Sequence, residues 1–175
     1  MSTQNIQHWL RLSQAEGVGP VTAMQLVEYW GSVAALWEVP LDAWYQAPMS
    51  SALINALLQV SQSTVDQDCH WAEKPGHSIL TMDDPDYPES LRVISTPPLI
   101  LYIKGDPSCL SELQVAIVGS RRSSYHGRTL AHQLSRGLSD QGVVVTSGLA
   151  RGIDAAAHQG ALAGSKKTIA VLGSG

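Results

Sequence analysis

Cysteine is scarce: the chain carries two, Cys69 and Cys109, far apart in sequence. Their separation matches neither a disulfide framework nor a metal-ligand spacing. No apolar stretch reaches the roughly 18 residues that a membrane-spanning helix requires. Met1 to Leu12 lack the basic stretch and apolar core of a secretory leader. These absences lead us to expect a reduced, cytoplasmic protein with no structural metal. Charged residues make up only 15% of the chain, and one sign is nearly missing from its C-terminal part. Residues 113–175 hold two acids, Asp140 and Asp154, against seven Lys and Arg, a balance of +5. Residues 1–112 hold thirteen acids against four bases, a balance of −9. A basic segment on a chain of net charge −4 has two readings: a surface that meets a polyanion, or helix faces that are merely solvated.

Three short apolar runs rich in β-branched residues punctuate that basic segment. Val115-Ala116-Ile117-Val118 leads into Gly119-Ser120-Arg121, and Val143-Val144-Val145 leads into Ser147-Gly148. Ile169-Ala170-Val171-Leu172 leads into Gly173-Ser174-Gly175. Helix-sized segments separate them, predicted at about Tyr125–Asp140 and Gly152–Leu162. The pattern reads as β-α-β-α-β, an α/β fold with an incomplete Rossmann-like parallel sheet over 113–175. Leu130, Leu134 and Leu138 are expected to face the sheet. Ligands of such sheets bind at the carboxyl edge, where the strand-to-helix loops gather.

The segment 1–65 reads as a small helical domain of the SAM-like or helix-hairpin-helix type. Trp9, Leu10, Leu12, Met24, Leu26, Val27 and Trp30 recur at helical spacing around the turn Gly17-Val18-Gly19-Pro20. Pro20 suits the first position of a helix. The acidic surroundings and the lack of Lys or Arg beside the turn favour a plain helical domain over a DNA-phosphate clamp. Its tryptophans are expected in the core. Residues 66–112 read as a connecting extension. Asp83, Asp84 and Asp86 fit no calcium loop and are expected to form a solvated turn. The strand at Leu99–Ile103 is expected to join an edge of the C-terminal sheet.

A loop entering a helix offers unpaired amides and the positive end of the helix dipole. Gly119 permits close approach, Ser120 adds a hydroxyl, and Arg121 adds a two-pronged donor for phosphate. Ser147, Gly148, Arg151 and Gly152 repeat the arrangement one strand over. Lys166 and Lys167 precede the third strand, a position that regular α/β geometry assigns to the amino edge. The first turn, G-S-R-R-S-S, is not G-x-G-x-x-G, and Ser147 stands where a dinucleotide site would place an acid. Nor is there a P-loop. No cofactor is therefore expected. Asp154 and His158, one turn apart, form a conceivable general-base pair; a structural role is the favoured reading.

These stretches resemble the DNA-processing protein A family, DprA/Smf. Gly119-Ser120-Arg121 with Ser124 and Gly127 resembles G-S-R-x-x-[ST]-x-Y-G. Ser147 to Leu162 resembles S-G-x-A-x-G-I-D-x-x-A-H-x-x-A-L, the longest and most specific match. Lys167 to Gly173 resembles the following strand, and Tyr87-Pro88, Leu91 and Pro97-Pro98 resemble a Y-P-x-x-L…P-P lead-in. His126 stands where the family has Tyr, and Tyr125 lies one place earlier. The resemblance implies a non-enzymatic protein that binds single-stranded DNA, protects it and helps load RecA in natural transformation. It further implies DNA-binding roles for Arg121 and Lys167, and a homodimer. It covers the N-terminal portion of the family pattern, whose further strands and F-P-x-R-N-R-type segment lie beyond Gly175. RecA loading and dimerisation belong to that later part. Two competing expectations are a phosphoribohydrolase-like nucleotide enzyme, which would need a P-G-G-x-G-T motif absent here, and a remnant that binds nothing.

Overall fold

The computed structural model describes residues 3–173, so Ser174 and Gly175 of the third strand's exit lie outside the described residues. The chain divides into two compact units, one through Pro107 and the other from Ser108.

The first unit begins with six helices: α1 (Thr3–Gln14), α2 (Pro20–Trp30), α3 (Val33–Glu38), α4 (Leu41–Gln46), α5 (Ser51–Leu58) and α6 (Gln62–Ala72). Their starts follow local chemistry. Pro20 opens α2, and the Ser32 and Ser50 hydroxyls accept the Ala35 and Leu53 amides at the starts of α3 and α5. Trp9, Leu12, Leu26, Val33, Leu36, Trp44, Ile54 and Leu57 form one core, so the tryptophan-rich start is packing material. The Trp44 indole donates to the Leu36 carbonyl at 2.9 Å, which satisfies its polar atom inside that core.

The connecting segment as far as Pro107 belongs to this unit and corrects two expectations. Strand β1 (His77–Thr81) pairs antiparallel with β2 (Ile100–Lys104), from His77 opposite Lys104 to Thr81 opposite Ile100. The short helix α7 (Glu89–Arg92) lies between them. The second strand therefore does not extend the C-terminal sheet. It found a partner in β1, whose short mixed sequence gives little strand signal. The acidic turn is not simply solvated either. Asp84 is buried, and its Oδ2 accepts the Thr81 amide at 2.6 Å and the Thr81 hydroxyl at 3.1 Å. Asp83 accepts the Trp9 indole N–H at 2.8 Å. Arg92 donates to the Met82 and Asp84 carbonyls and lies over the Tyr87 ring. This carboxylate cluster ties the β1 exit to the helical core.

The second unit carries β3 (Gln114–Ala116), α8 (Tyr125–Asp140), β4 (Val144–Ser147), α9 (Ile153–Leu162) and β5 (Thr168–Ala170). The three strands are parallel, in the order β3-β4-β5. A short 3₁₀ turn (Pro107–Ser111) precedes them. Val145, Ala157 and Ala161 form a small core joined by Ile117 and Leu138. The expected leucine face of α8 is only partly right. Leu138 packs inward, but Leu130 and Leu134 are more than half exposed. The buried stripe is Ala131, Ser135 and Ser139, one position along. Small residues face inward because α9 approaches α8 closely. A Cβ at Gly160 would overlap the His132 carbonyl oxygen and come within 2.8 Å of its carbonyl carbon. Ser139 secures the contact by donating to the Ala161 carbonyl at 2.9 Å and accepting the Lys166 amide at 2.8 Å.

Candidate nucleic-acid interface

Parallel pairing places the exits of β3 and β4 at one edge of the sheet, and the two loops interlock there. A Cβ at Gly152 would overlap the Ser120 carbonyl oxygen and lie 2.9 Å from that of Arg121. Gly152 has φ of 89°, so both its space and its backbone exclude other residues. The Ile153 amide donates to the Ser120 carbonyl at 3.3 Å. The Ile153 side chain closes the underside, with its Cβ 2.9 Å from a Cβ built at Gly119. Arg121 and Arg151, next in sequence to these contacting backbones, are thus brought to the same edge.

Much of the amide contribution expected at this edge is engaged internally. Gly148 donates its N–H to Asp154 Oδ2 at 3.2 Å. Gly127 donates to the Ser124 hydroxyl at 3.1 Å, and Ile153 donates to Ser120. The buried Asp154 carboxylate accordingly takes the place of an anion at the start of α9. Ser147 is only 3% exposed, and its hydroxyl donates to the Ile117 carbonyl at 2.6 Å, which makes it a strut between strands. The exposed Ser120 hydroxyl accepts the Arg122 amide at 3.1 Å and shapes the turn.

The arginines remain. From Ser108 onward the acids are Glu112, Asp140 and Asp154. Glu112 pairs with Lys166, Asp140 pairs with Arg136 at 3.8 Å, and Asp154 accepts Gly148. Arg121, Arg122 and Arg151 are exposed and have no acidic partner among the described residues. Three guanidiniums without an acidic partner among the described residues thus stand on two interlocked loops, and an Arg guanidinium is the side chain whose forked donors match phosphate oxygens.

Lys167 stands apart from this cluster. It directly precedes β5, so it lies at the amino edge of the sheet, one strand length from the arginine loops. Asp154 and His158 are 6% and 5% exposed. His158 Nδ1 lies 2.8 Å from the Thr168 hydroxyl, which itself donates to the Val145 carbonyl at 2.5 Å. The hydroxyl must therefore accept from Nδ1–H, and the other ring nitrogen carries no proton. Burial pushes the His158 pKa below the ordinary value of 6.5, against a smaller raising effect from Asp154. The unfolded imidazole accepts a proton that the folded one refuses. The stability from this site is complete above 6.5 and is lost as pH falls through the lower folded value. Urea midpoints measured from neutral pH down to about pH 5 should decline, and His158→Gln should flatten the part of the decline belonging to this unit. Buried His8 adds a parallel effect in the first unit.

Two contributors escaped the sequence reading. Ile153 was the isoleucine of a motif, and only its packing beneath Gly119 shows that it spaces the loops. The Ser124 cap was visible in principle, as a serine three residues before a glycine at a helix start.

The family profile described as DNA recombination-mediator protein A matches residues 78–175. Protein Smf of Escherichia coli K12 is 31% identical over 167 residues, covering 95% of this chain and 44% of the relative. DNA processing protein DprA of Streptococcus pneumoniae R6 is 44% identical over 101 residues, covering 58% of this chain and 34% of the relative. The crystal structure of DprA from Streptococcus pneumoniae superposes with a TM-score of 0.78 at 28% identity, covering all of this chain and 59% of the other. This chain thus spans less than half the length of these curated relatives. Among the described residues no helix is long and apolar enough to cross a membrane. With its α/β architecture, its helical N-terminal part and its interlocked G-S-R and S-G-L-A-R-G loops, the chain belongs to the DNA recombination-mediator protein A family.

Proposed function

We propose that this chain binds single-stranded DNA without sequence preference at the carboxyl edge of its parallel sheet, in a DNA-processing role. The observation that carries the reading is the placement of Arg121, Arg122 and Arg151 on two interlocked loops, exposed and without acidic partners among the described residues. Gly119, Ser120, Gly148 and Gly152 shape the loops that present them, and Ser147 braces the strands beneath. Phosphate contacts carry no base information, so affinity varies little with sequence. The reading is of a binding protein rather than an enzyme. Asp154 and His158, the candidate acid–base pair, are buried and engaged in hydrogen bonds that hold the fold. No described residues group as metal ligands. The family resemblance extends the proposal to RecA and a second copy as partners of the whole protein, acting in the cytoplasm.

Fluorescence anisotropy with a labelled oligonucleotide tests the reading. Each neutralised phosphate on a single strand contributes about −0.7 to the slope of log affinity against log salt, so three arginines predict about −2. Lys167→Ala should weaken binding by less than about threefold, because a contact one strand length away meets only a strand that runs on past the loops. A loss at Lys167 matching that at Arg121 would move the site to the amino edge. A salt-independent affinity would remove the phosphate reading.

A further inference from the structure

One buried charged group at this edge has no part in phosphate contact. Asp154 is the second residue of α9 and is 6% exposed. Its Oδ2 accepts the Gly148 amide at 3.2 Å, while its Oδ1 is buried and meets no hydrogen-bond donor among the described residues. It also belongs to none of their ion pairs. A Cβ built at Gly148 would lie 3.0 Å from Asp154 Oδ2 and 4.0 Å from the Val171 carbonyl oxygen, so the carboxylate sits where β4 and β5 leave the sheet. That is the place at which an α/β sheet receives an anionic ligand, on the positive end of the following helix. Hydrogen bonding alone does not account for the charge. An asparagine would accept the same Gly148 amide, and a half-satisfied carboxylate costs more to bury than an amide. The charge does here what a bound anion would do, which is to neutralise the helix start.

We infer that Asp154 is a built-in anion that fills and closes this helix-start site, so that small phosphate anions, free or carried by a mononucleotide, are refused there. A carboxylate already in place excludes a second anion in two ways, by occupying the space and by like-charge repulsion. What remains for an anion at this edge is the exposed set of Arg121, Arg122 and Arg151. Single exposed contacts hold a mononucleotide weakly, whereas a polymer engages several at once through one backbone. Asp154 is thereby a specificity-determining residue, favouring a polymeric phosphate backbone over its monomers. That consequence rests on the single-strand reading above; the closed site itself does not.

Asp154→Ala removes both the charge and the bulk, and Asp154→Asn removes the charge alone. Urea midpoints are compared in formate and in chloride at equal ionic strength. Formate, the carboxylate without its stem, should raise the midpoint of Asp154→Ala along a saturating curve, as a ligand of the folded state does. It should do no more than chloride for the parent and for Asp154→Asn, whose site is filled. Folding of Asp154→Ala only when formate is present would be the same result in its strongest form. Asp154→Ser, which suits a helix start and leaves most of the space open, serves the binding measurement. Calorimetric titration should show inorganic phosphate and AMP binding Asp154→Ser at least about tenfold more tightly than the parent, the size of one charge-assisted hydrogen bond, and adenosine binding neither. Equal gains for phosphate and AMP assign the opened site to the bare anion, and a larger gain for AMP assigns it to the nucleotide. Formate acting on Asp154→Ala no more than chloride overturns the closed site, and so does a parent that binds phosphate as tightly as Asp154→Ser. Neither measurement contains DNA, so a parent with a closed site that binds no oligonucleotide overturns the single-strand reading alone.

Discussion

Arg121→Ala is expected to reduce affinity for single-stranded DNA by about tenfold or more at low salt, equally for all base compositions. Arg121 follows the β3 exit directly, and its carbonyl lies 2.9 Å from where a Cβ at Gly152 would be. Its backbone is therefore fixed by the opposing loop, and its guanidinium meets no carboxylate among the described residues. A phosphate contacting it gains a charge-assisted, two-pronged hydrogen bond that no internal ion pair competes for. Removing it should also flatten the salt slope by about 0.7, because one fewer counterion is released. Arg121→Lys keeps the charge and loses the fork, so the slope should persist while affinity falls by a smaller factor. Both are read from anisotropy titrations at several salt concentrations. An unchanged affinity and slope in Arg121→Ala would exclude this loop as the phosphate site.

Gly160→Ala is expected to destabilise the second unit by about 3 kcal/mol, at the upper end of overpacking effects. The obstacle is backbone. The added methyl would overlap the His132 carbonyl oxygen and sit 2.9 Å from the His132 Cα. No side-chain rotation relieves that contact, so α8 and α9 must separate along the seam where Ala131, Ser135, Ser139, Ala156, Ala157 and Ala161 are buried. Gly137→Ala, in the same helix as His132, is the control. Gly137 is exposed, and a Cβ there meets nothing within 4 Å. That substitution should stabilise by about 0.5–1 kcal/mol through helix propensity. Urea unfolding of the two variants should therefore move the midpoint in opposite directions. If both move it the same way, the helices are not in the tight contact described.

Element order in the second unit was legible because its signals are local. Apolar runs ending in Gly or Ser mark the strands, and Tyr125–Asp140 carries its own cap and exit glycine. The identities of the two loops were legible for the same reason. Which face of α8 packs was not. Leu130, Leu134 and Leu138 lie beside Ala131, Ser135 and Ser139 at the same spacing, and hydrophobicity favours the leucines. Choosing between the stripes requires knowing that Gly160 stands opposite on α9. The β1–β2 pair was hidden by its separation in sequence, and the burial of Asp84 by the distance between the turn and the helices it secures.

At the site the division is similar. Residue order by itself determined that basic, glycine-containing loops leave successive parallel strands, since strand periodicity and turn chemistry are properties of neighbouring residues. Only the tertiary structure decided what those loops have left to offer a ligand. The Gly148 and Ile153 amides and the Ser147 hydroxyl find partners inside the fold, while Arg121, Arg122 and Arg151 find no acid among the described residues. Hydrogen-bond partnership depends on which groups meet after folding, and the groups that meet here are far apart along the chain: Ile153 with Ser120, and Ser147 with Ile117.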